Sequence, residues 1–296
     1  VAVIVIQGLI IGGALDVSNA RQLATRGSLS GALMGGLLFG AGMIMTRGCA
    51  SRLLILSANG NLRALLSGLV FAVTAQSSLS GALSPLRNQI TNLWTIEGGI
   101  HRDLLASLGL SHSMGLGVGG IWFLAALYFT TRTTQRAWMW IGGFGTGISV
   151  AFAWLLTYQV SLSSFEVITI QGITFSGPSA EWLMRVLAPN PPNIGFDFGL
   201  LPGVFVGSFL GAWFGKEIKL EGFKDGYAMT RYIIGAILMG FGAMLAGGCA
   251  VGAGVTGGAI FATTAWLALV GMWMGAGLVD RWLDAPPISS PTLVQP

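Results

Sequence analysis

Gly48-Cys49-Ala50 is met again as Gly248-Cys249-Ala250, and these two stretches hold both cysteines of the chain. A constant shift of 200 residues superposes Gly35 to Ala50 on Gly235 to Ala250 without a gap. Seven positions coincide: Gly35/Gly235, Leu38/Leu238, Gly40/Gly240, Gly42/Gly242, Gly48/Gly248, Cys49/Cys249 and Ala50/Ala250. Glycine and alanine are frequent here, so some matches carry little weight, but a rare residue shared inside Gly-Cys-Ala carries much more. The spacing predicts an internal repeat whose two cysteines face one another.

Hydrophobic residues make up 53% of the chain and charged residues 9%, with a mean hydropathy of +0.74. That composition predicts an integral membrane protein. The charges gather in short runs such as Arg132 to Arg136 and Lys216 to Asp225, between apolar stretches long enough to cross roughly 30 Å of hydrocarbon as helices. The net charge of +4 fits the Lys/Arg bias of cytoplasmic loops. No basic cluster interleaved with aromatics is present, which sets nucleic acid aside. Two cysteines in separate apolar segments form no framework of a stapled secreted domain, and a functional thiol pair is the sharper reading. Val1 opens inside an apolar run without a methionine, so a start further upstream is expected.

Val1 to Leu15 reads as a helix and Asp16 to Ser28 as a loop. Gly31 to Thr46 is apolar but too short to cross unaided at about 1.5 Å per residue, and Ala50 to Ala58 is expected to complete the crossing as a half-helix after a break at Gly48. Asn59-Gly60-Asn61 signals a turn, Leu62 to Ser80 a span, and Ser84 to Asp103 a polar excursion. Met114 to Thr131 and Ala137 to Val160 are conventional spans, with Trp122, Trp138 and Trp140 as interfacial anchors. Ser161 to Asp197 is polar, carries Glu166 and ends in Pro189, Pro191 and Pro192. Within it, Ser176 to Glu181 reads as a turn and cap feeding a short helix through Leu187. Phe198 to Gly215 and Tyr227 to Ala246 are spans, Gly247-Gly248 a second break, and Ala250 to Ile260 a second half-helix. Ala262 to Val279 closes the domain, and the tail from Asp284 reads as irregular.

The expected fold is thus an all-α polytopic integral membrane protein, a single membrane domain over residues 1–296. Two pseudo-symmetric, inverted repeats (about 1–80 and about 198–279) flank connecting spans (about 81–197), and a tail covers 280–296. The broken helices meet at a central constriction. Counting each broken helix as one crossing places Arg63, Arg132, Arg136, Lys216, Lys219, Lys224 and Arg231 on one face, read as cytoplasmic. The other face collects Arg21, Arg26, Arg87, Arg102 and Arg185.

The breaks carry the chemistry. Unwound backbone at membrane depth is tolerated only when buried in protein or lining a cavity. A restarted helix aims free N–H groups and its positive dipole end at the break, a ready anion site. Two such ends related by a pseudo-twofold axis converge near the midplane, the layout of many secondary transporters. A neutral thiol is a weak donor and a soft surface, suited to a sulfur-bearing anion. Arg47 is read as attracting that anion rather than as generating a thiolate, and the second site has Gly247 in its place. Fourfold glycine spacing, as in Gly203, Gly207 and Gly211, points to helix packing. Glu181 and Arg185 read as a structural i, i+4 pair. His101 and His112 lack metal-ligand partners and read as exposed or interfacial. No nucleotide loop or hydrolase motif appears, so neither an enzyme nor a cofactor is expected.

Thr46-Arg47-Gly48-Cys49-Ala50-Ser51-Arg52-Leu53 and Gly247-Gly248-Cys249-Ala250-Val251-Gly252 resemble the paired motifs of the YeeE/YedE family of sulfur-compound transporters. The resemblance covers nearly the whole chain, including the repeat order and Ser176-Gly177-Pro178-Ser179. It implies an hourglass-shaped protein in the inner membrane of a prokaryote that takes up thiosulfate, its cysteines near the constriction handing the ion along by S–H hydrogen bonds. Residue by residue, it implies substrate contact or shaping at Cys49, Cys249, Arg47, Gly48, Ser51, Gly248 and Gly252. It also implies a small cytoplasmic sulfur-carrier partner of the TusA type. Thiosulfate-transporting members have a further cysteine nearer the N-terminus, and nothing before Cys49 fills that role. Either an upstream segment holds it or the path uses two cysteines. The family includes proteins linked to selenium metabolism, so a selenium compound is an alternative substrate. A membrane redox protein cycling Cys49 and Cys249 is the alternative from another class, and a structural scaffold the third.

Overall fold

The computed structural model describes residues 1–133, 137–165, 168–187, 195–223 and 226–283. Arg136, Glu166, Pro189, Pro191, Pro192, Lys224, Asp225 and the tail from Asp284 lie outside the described residues. The chain runs α1 (Ala2–Ile11), α2 (Arg21–Ala24), β1 (Gly27–Ser28), α3 (Leu29–Met45), α4 (Ala50–Ala58), α5 (Leu62–Ser80), α6 (Ser84–Asn92) and β2 (Thr95–Ile96). A 3-10 turn (Gly99–Arg102) leads into α7 (Leu104–Ser107), α8 (His112–Thr131), α9 (Ala137–Ser163), α10 (Ser176–Leu187), α11 (Phe196–Gly215) and α12 (Gly226–Ala246). A π-helical segment (Ala250–Gly257) precedes α13 (Thr263–Leu283). Among the described residues, six stretches are long and apolar enough to cross a bilayer: Leu29–Ala58, Leu62–Ser80, His112–Thr131, Trp138–Ser163, Phe196–Phe214 and Gly226–Gly257. The protein is an all-α polytopic membrane protein.

Local chemistry sets the ends of these helices. Ser28 Oγ accepts the Gly31 N–H at 2.8 Å and starts α3, and Asn61 Oδ1 accepts the Ala64 N–H at 3.0 Å and starts α5. Both caps satisfy donors that would otherwise be orphaned in lipid. α1 stops at Ile11, short of Leu15, because Gly12 and a left-handed Gly13 (φ 69°) end the coil. The loop from Asp16 to Ser28 carries more structure than the sequence suggests. β1 pairs antiparallel with β2, Gly27 opposite Ile96 and Ser28 opposite Thr95, tying the first loop to the polar excursion. α13 continues past Val279 to Leu283, so Asp280 and Arg281 are helical.

The core is a set of glycine-lined crossings. α3 and α12 run antiparallel: Gly35 lies against Gly242 and Leu245, and Gly42 against Gly235 and Met239. A methyl group on Gly35 would come within 2.6 Å of the Gly242 carbonyl oxygen, so these backbones touch directly. α13 lies along the other side of α3, Gly271 against Leu33 and Gly36, while α5 lies along α12, with Phe71 and Thr74 against Gly240. Ala268, Met239, Phe39 and Phe71 fill the spaces between. α8 and α11 are thinly covered and turn Ile121, Phe129, Trp213 and Phe214 outward, the apolar surface that a bilayer covers.

Candidate functional site

α3 ends in a Schellman turn. The Arg47 N–H donates to the Ile44 carbonyl at 3.2 Å and the Gly48 N–H to that of Met43 at 3.0 Å. α12 ends with the same reach, the Gly248 N–H donating to the Ala243 carbonyl at 3.0 Å. The left-handed position is the residue two before each cysteine: Arg47 has φ 55° and Gly247 φ 77°. The sequence places the unwinding at Arg47-Gly48 and at Gly247-Gly248, and in each pair the first residue takes the left-handed turn while Gly48 and Gly248 pack closely. The stem of Arg52 lies over Gly48, where an added methyl would meet its Cδ at 3.1 Å, and one on Gly248 would meet the Ala253 nitrogen at 3.2 Å.

Each cysteine then occupies the N-cap position of the restarted helix. Cys49 has φ −81° and ψ 172°, and Cys249 has φ −81° and ψ −178°, the extended backbone of an N-cap. Their carbonyls accept the first helical bonds, from the Leu53 N–H at 2.9 Å and the Ala253 N–H at 2.8 Å. Neither thiol caps its helix. Sulfur is a weak acceptor, so the first-turn N–H groups stay directed at the break.

The two sites differ in what surrounds this shared backbone. Cys49 is half-buried, its Sγ 3.2 Å from Ser51 Oγ, with Arg47 and Arg52 both exposed beside it. Arg231 reaches the end of α3, its Nη2 donating to the Ile44 carbonyl at 3.3 Å. Cys249 is buried at 1% exposure, with Val251 at the place of Ser51. Cys249 belongs to the buried core, and Cys49 packs against that same cluster. Both are free thiols.

The helix after Cys249 is π rather than α. Gly252, Gly254 and Gly257 lie in this wide coil. Ile173 and Thr174 lie against it. The Thr256 hydroxyl donates to the Ile173 carbonyl at 2.5 Å, and a methyl on Gly252 would meet Thr174 Oγ1 at 2.5 Å. Gly252 therefore has a packing requirement, because any side chain there would displace buried Thr174.

Above the second break lies a cavity of about 490 Å³ whose wall includes Gly247, Gly252 and Ala253. Arg21, Arg26, Arg87 and Arg102 line it against one carboxylate, Glu181. Ser176 and Gly177, the first residues of the twelve-residue α10, line it as well, so a second helix N-terminus faces the same space. Arg102 is 7% exposed and held by three hydrogen bonds. Its Nη1 donates to the Thr25 carbonyl at 2.6 Å and to Thr25 Oγ1 at 3.2 Å, and its Nη2 donates to Thr264 Oγ1 at 2.7 Å. Burial, with Arg21 nearby, pushes its guanidinium down to about 10, which leaves it charged at neutral pH. Gly27 leaves room for it, since a methyl there would come within 2.7 Å of Arg102 Nε.

The sequence reading found the breaks but not this cavity. It groups Arg21, Arg26, Arg87, Arg102 and Arg185 on one face by counting crossings, and the first four of these line the cavity. It pairs Glu181 with Arg185, and Arg185 does attract that carboxylate; Glu181 also lines the cavity, and Arg185 lies over the Phe198 ring at 4.7 Å. His112 is half-buried, its Nδ1 3.0 Å from Oε1 of the buried Gln7. Among the described residues no cluster of His, Cys, Asp or Glu could hold a metal ion. A cleft of about 530 Å³ between α8 and α9, walled by Trp122, Phe123, Trp140 and Phe144, is apolar and lies on the outward flank.

The sequence pattern of the sulphur transport family matches residues 1–278. The chain is 28% identical to the thiosulfate transporter TsuA of Spirochaeta thermophila, over 86% of this chain and 79% of that protein. It is 24% identical to the thiosulfate transporter TsuA of Escherichia coli K12, over 84% of this chain and 74% of that protein. It is 35% identical to the probable transporter YedE of Escherichia coli K12, over 44% of this chain and 33% of that protein. With a cysteine at the N-cap of each of two helix breaks, an arginine-lined cavity against the second break, and a family pattern that spans nearly the whole chain, the protein belongs to the sulphur transport family of YeeE/YedE proteins and is a membrane transporter, not an enzyme.

Proposed function

We propose that the protein is a permease for thiosulfate or a related small sulfur-containing anion, passed through a central constriction by the thiols of Cys49 and Cys249. The observation that carries this reading is the repeated break, in which a cysteine occupies the N-cap of a restarted helix without capping it. The N–H groups supply the anion attraction, and the thiol supplies a soft donor for a terminal sulfur. The arginine cavity next to the Cys249 break collects the anion from one side. Arg47, Ser51 and Arg52 serve the Cys49 side. The names of the TsuA relatives favour thiosulfate over a selenium compound.

Residues 1–80 and 198–279 act as inverted repeats about this constriction, joined through 81–197. The supporting observation is that a shift of 200 residues exchanges the contact Gly35–Gly242 with Gly235–Gly42, across two antiparallel helices. The site of action is the inner membrane of a prokaryote, with a TusA-type carrier receiving the ion on the cytoplasmic side. Expression in a bacterial host lacking thiosulfate and sulfate uptake, with thiosulfate as sole sulfur source, tests the substrate. Growth is the expected result. A strain that makes the protein in its membrane, grows on cysteine and fails on thiosulfate would overturn it.

A further inference from the structure

Glu181 is the one carboxylate among the described residues that lines the arginine cavity. It stands on α10, a helix too short to span, one and a half turns beyond the N-terminus that opens into that space. Its charged surroundings come from three elements. Arg21 on α2 and Arg185 on α10 itself attract a carboxylate, and Asp197 at the start of α11 repels one. α5 and α12, which also pack on α10, present only Leu79 and the uncharged stretch 243–247 to the cavity. Arg26, Arg87 and Arg102 complete the wall.

An anion entering this cavity competes with the Glu181 carboxylate for the same guanidinium field. Substrate dianion and glutamate anion repel one another in a partly dehydrated space, where charges are screened less than in water. We propose that Glu181 makes substrate entry proton-linked: it stands in for the anion when the cavity is vacant of substrate, and it takes up one proton from solvent as a sulfur dianion binds. The proton neutralises the carboxylate, no bond to substrate forms, and the arginines are released to the incoming ion. On leaving, the dianion returns the field to Glu181 and the proton is shed. Burial, joined by Asp197, raises this carboxyl above its ordinary value, the direction that favours proton uptake. By linkage, a proton that favours the substrate must be favoured by it in return.

This inference rests on the permease reading above and deepens it from anion passage to proton-linked anion passage. The test is thiosulfate binding to the purified full chain in lipid nanodiscs, followed by calorimetry between about pH 5 and 8 in buffers of different ionisation enthalpy. Wild type is expected to bind more tightly as pH falls, at a limit of about tenfold in Kd per pH unit, with net proton uptake per thiosulfate. Glu181→Gln is expected to bind at every pH with the tight, flat affinity that wild type shows at its acid end, without proton uptake. Glu181→Asp, which keeps a titrating group, should restore a slope. Binding by wild type and Glu181→Gln with one shared pH profile, or a flat profile in wild type, would overturn the proton linkage and leave the permease reading standing. Absence of thiosulfate binding to either protein at every pH would overturn both.

Discussion

Replacing either cysteine by serine should make the protein more stable and less active at once. Cys49 and Cys249 occupy N-cap positions with the extended backbone that a cap requires, and neither sulfur accepts a bond from the helix it precedes. Serine is among the best N-cap residues: its hydroxyl accepts the N–H of the second or third residue, Ser51 or Arg52 in one case and Val251 or Gly252 in the other. A serine cap is worth about 0.5–2 kcal/mol over alanine. In a chain of this size each kcal/mol moves Tm by roughly 2–4 °C. Thermal unfolding of Cys49→Ser, Cys49→Ala, Cys249→Ser and Cys249→Ala in detergent should therefore rank each serine variant above its alanine counterpart by a few degrees.

Transport should move the other way. A hydroxyl engaged as a cap turns toward the backbone, occupies an N–H that would face the anion, and removes the polarizable sulfur. Uptake of radiolabelled thiosulfate into proteoliposomes should fall more than tenfold in both serine variants, as in both alanine variants. Cys49→Ser is the cleaner probe, because Cys49 is half-buried with Ser51 as a neighbour, whereas Cys249 is enclosed. Wild-type uptake by a serine variant that is also more stable would refute the need for sulfur. A serine variant less stable than its alanine counterpart would refute the cap geometry.

Gly35→Ala should cost at least about 1–3 kcal/mol, because the methyl would meet the Gly242 carbonyl at 2.6 Å, backbone against backbone; Gly68→Ala, with nothing within 4 Å, is the neutral control in the same thermal assay. Arg102→Met should destabilise by on the order of 3 kcal/mol through the lost bonds to Thr25 and Thr264 and weaken thiosulfate binding, while Arg102→Lys should keep part of the binding and lose the fork. For Glu181 the folded carboxyl lies above the ordinary 4.5, so the folded state binds more protons between that value and the raised one, and wild-type stability falls as pH rises through this window. Glu181→Gln should lack that loss, which unfolding curves at acid and neutral pH will compare.

Much of the fold was legible because it is governed by local signals. α4 and α5 begin and end where the sequence places them, since Asn59-Gly60-Asn61 makes the turn and Asn61 caps the helix that follows. α10 ends at Leu187 where the sequence places it, but Ser176 to Glu181, which read as a turn and cap, are already helical. The β1–β2 pairing was not legible, because Gly27 and Ile96 are distant in sequence and only tertiary packing brings them together. The π segment escaped because glycines permit several helix types, and the choice is made by contact with Ile173 and Thr174. The arginine cavity escaped in the same way. Arg21, Arg87 and Arg102 sit on short helical elements inside stretches that read as loop or polar excursion and carry no motif, and their convergence on one wall is a property of the chain path.

The two breaks share a backbone and diverge in chemistry, and the divergence has a direction. At Cys49 the charge is local, since Arg47 and Arg52 are within three residues of the thiol and both are exposed. At Cys249 glycine and valine replace Arg47 and Ser51, so the sequence within three residues of the second thiol carries neither a charge nor a hydroxyl. In the proposed permease its charge would come from Arg21, Arg26, Arg87 and Arg102, which line a cavity against Gly247 and Gly252 together with one carboxylate. A site with fixed nearby charge holds an anion at any pH. A site whose charge is set by Glu181 holds it conditionally. A relay between sites of these two kinds is not symmetric in energy, even though the helix ends that build it are nearly identical. Unequal sites do not by themselves direct net flux, which follows the gradients, but a proton-dependent step on the Cys249 side would let a proton gradient bias passage through the paired breaks.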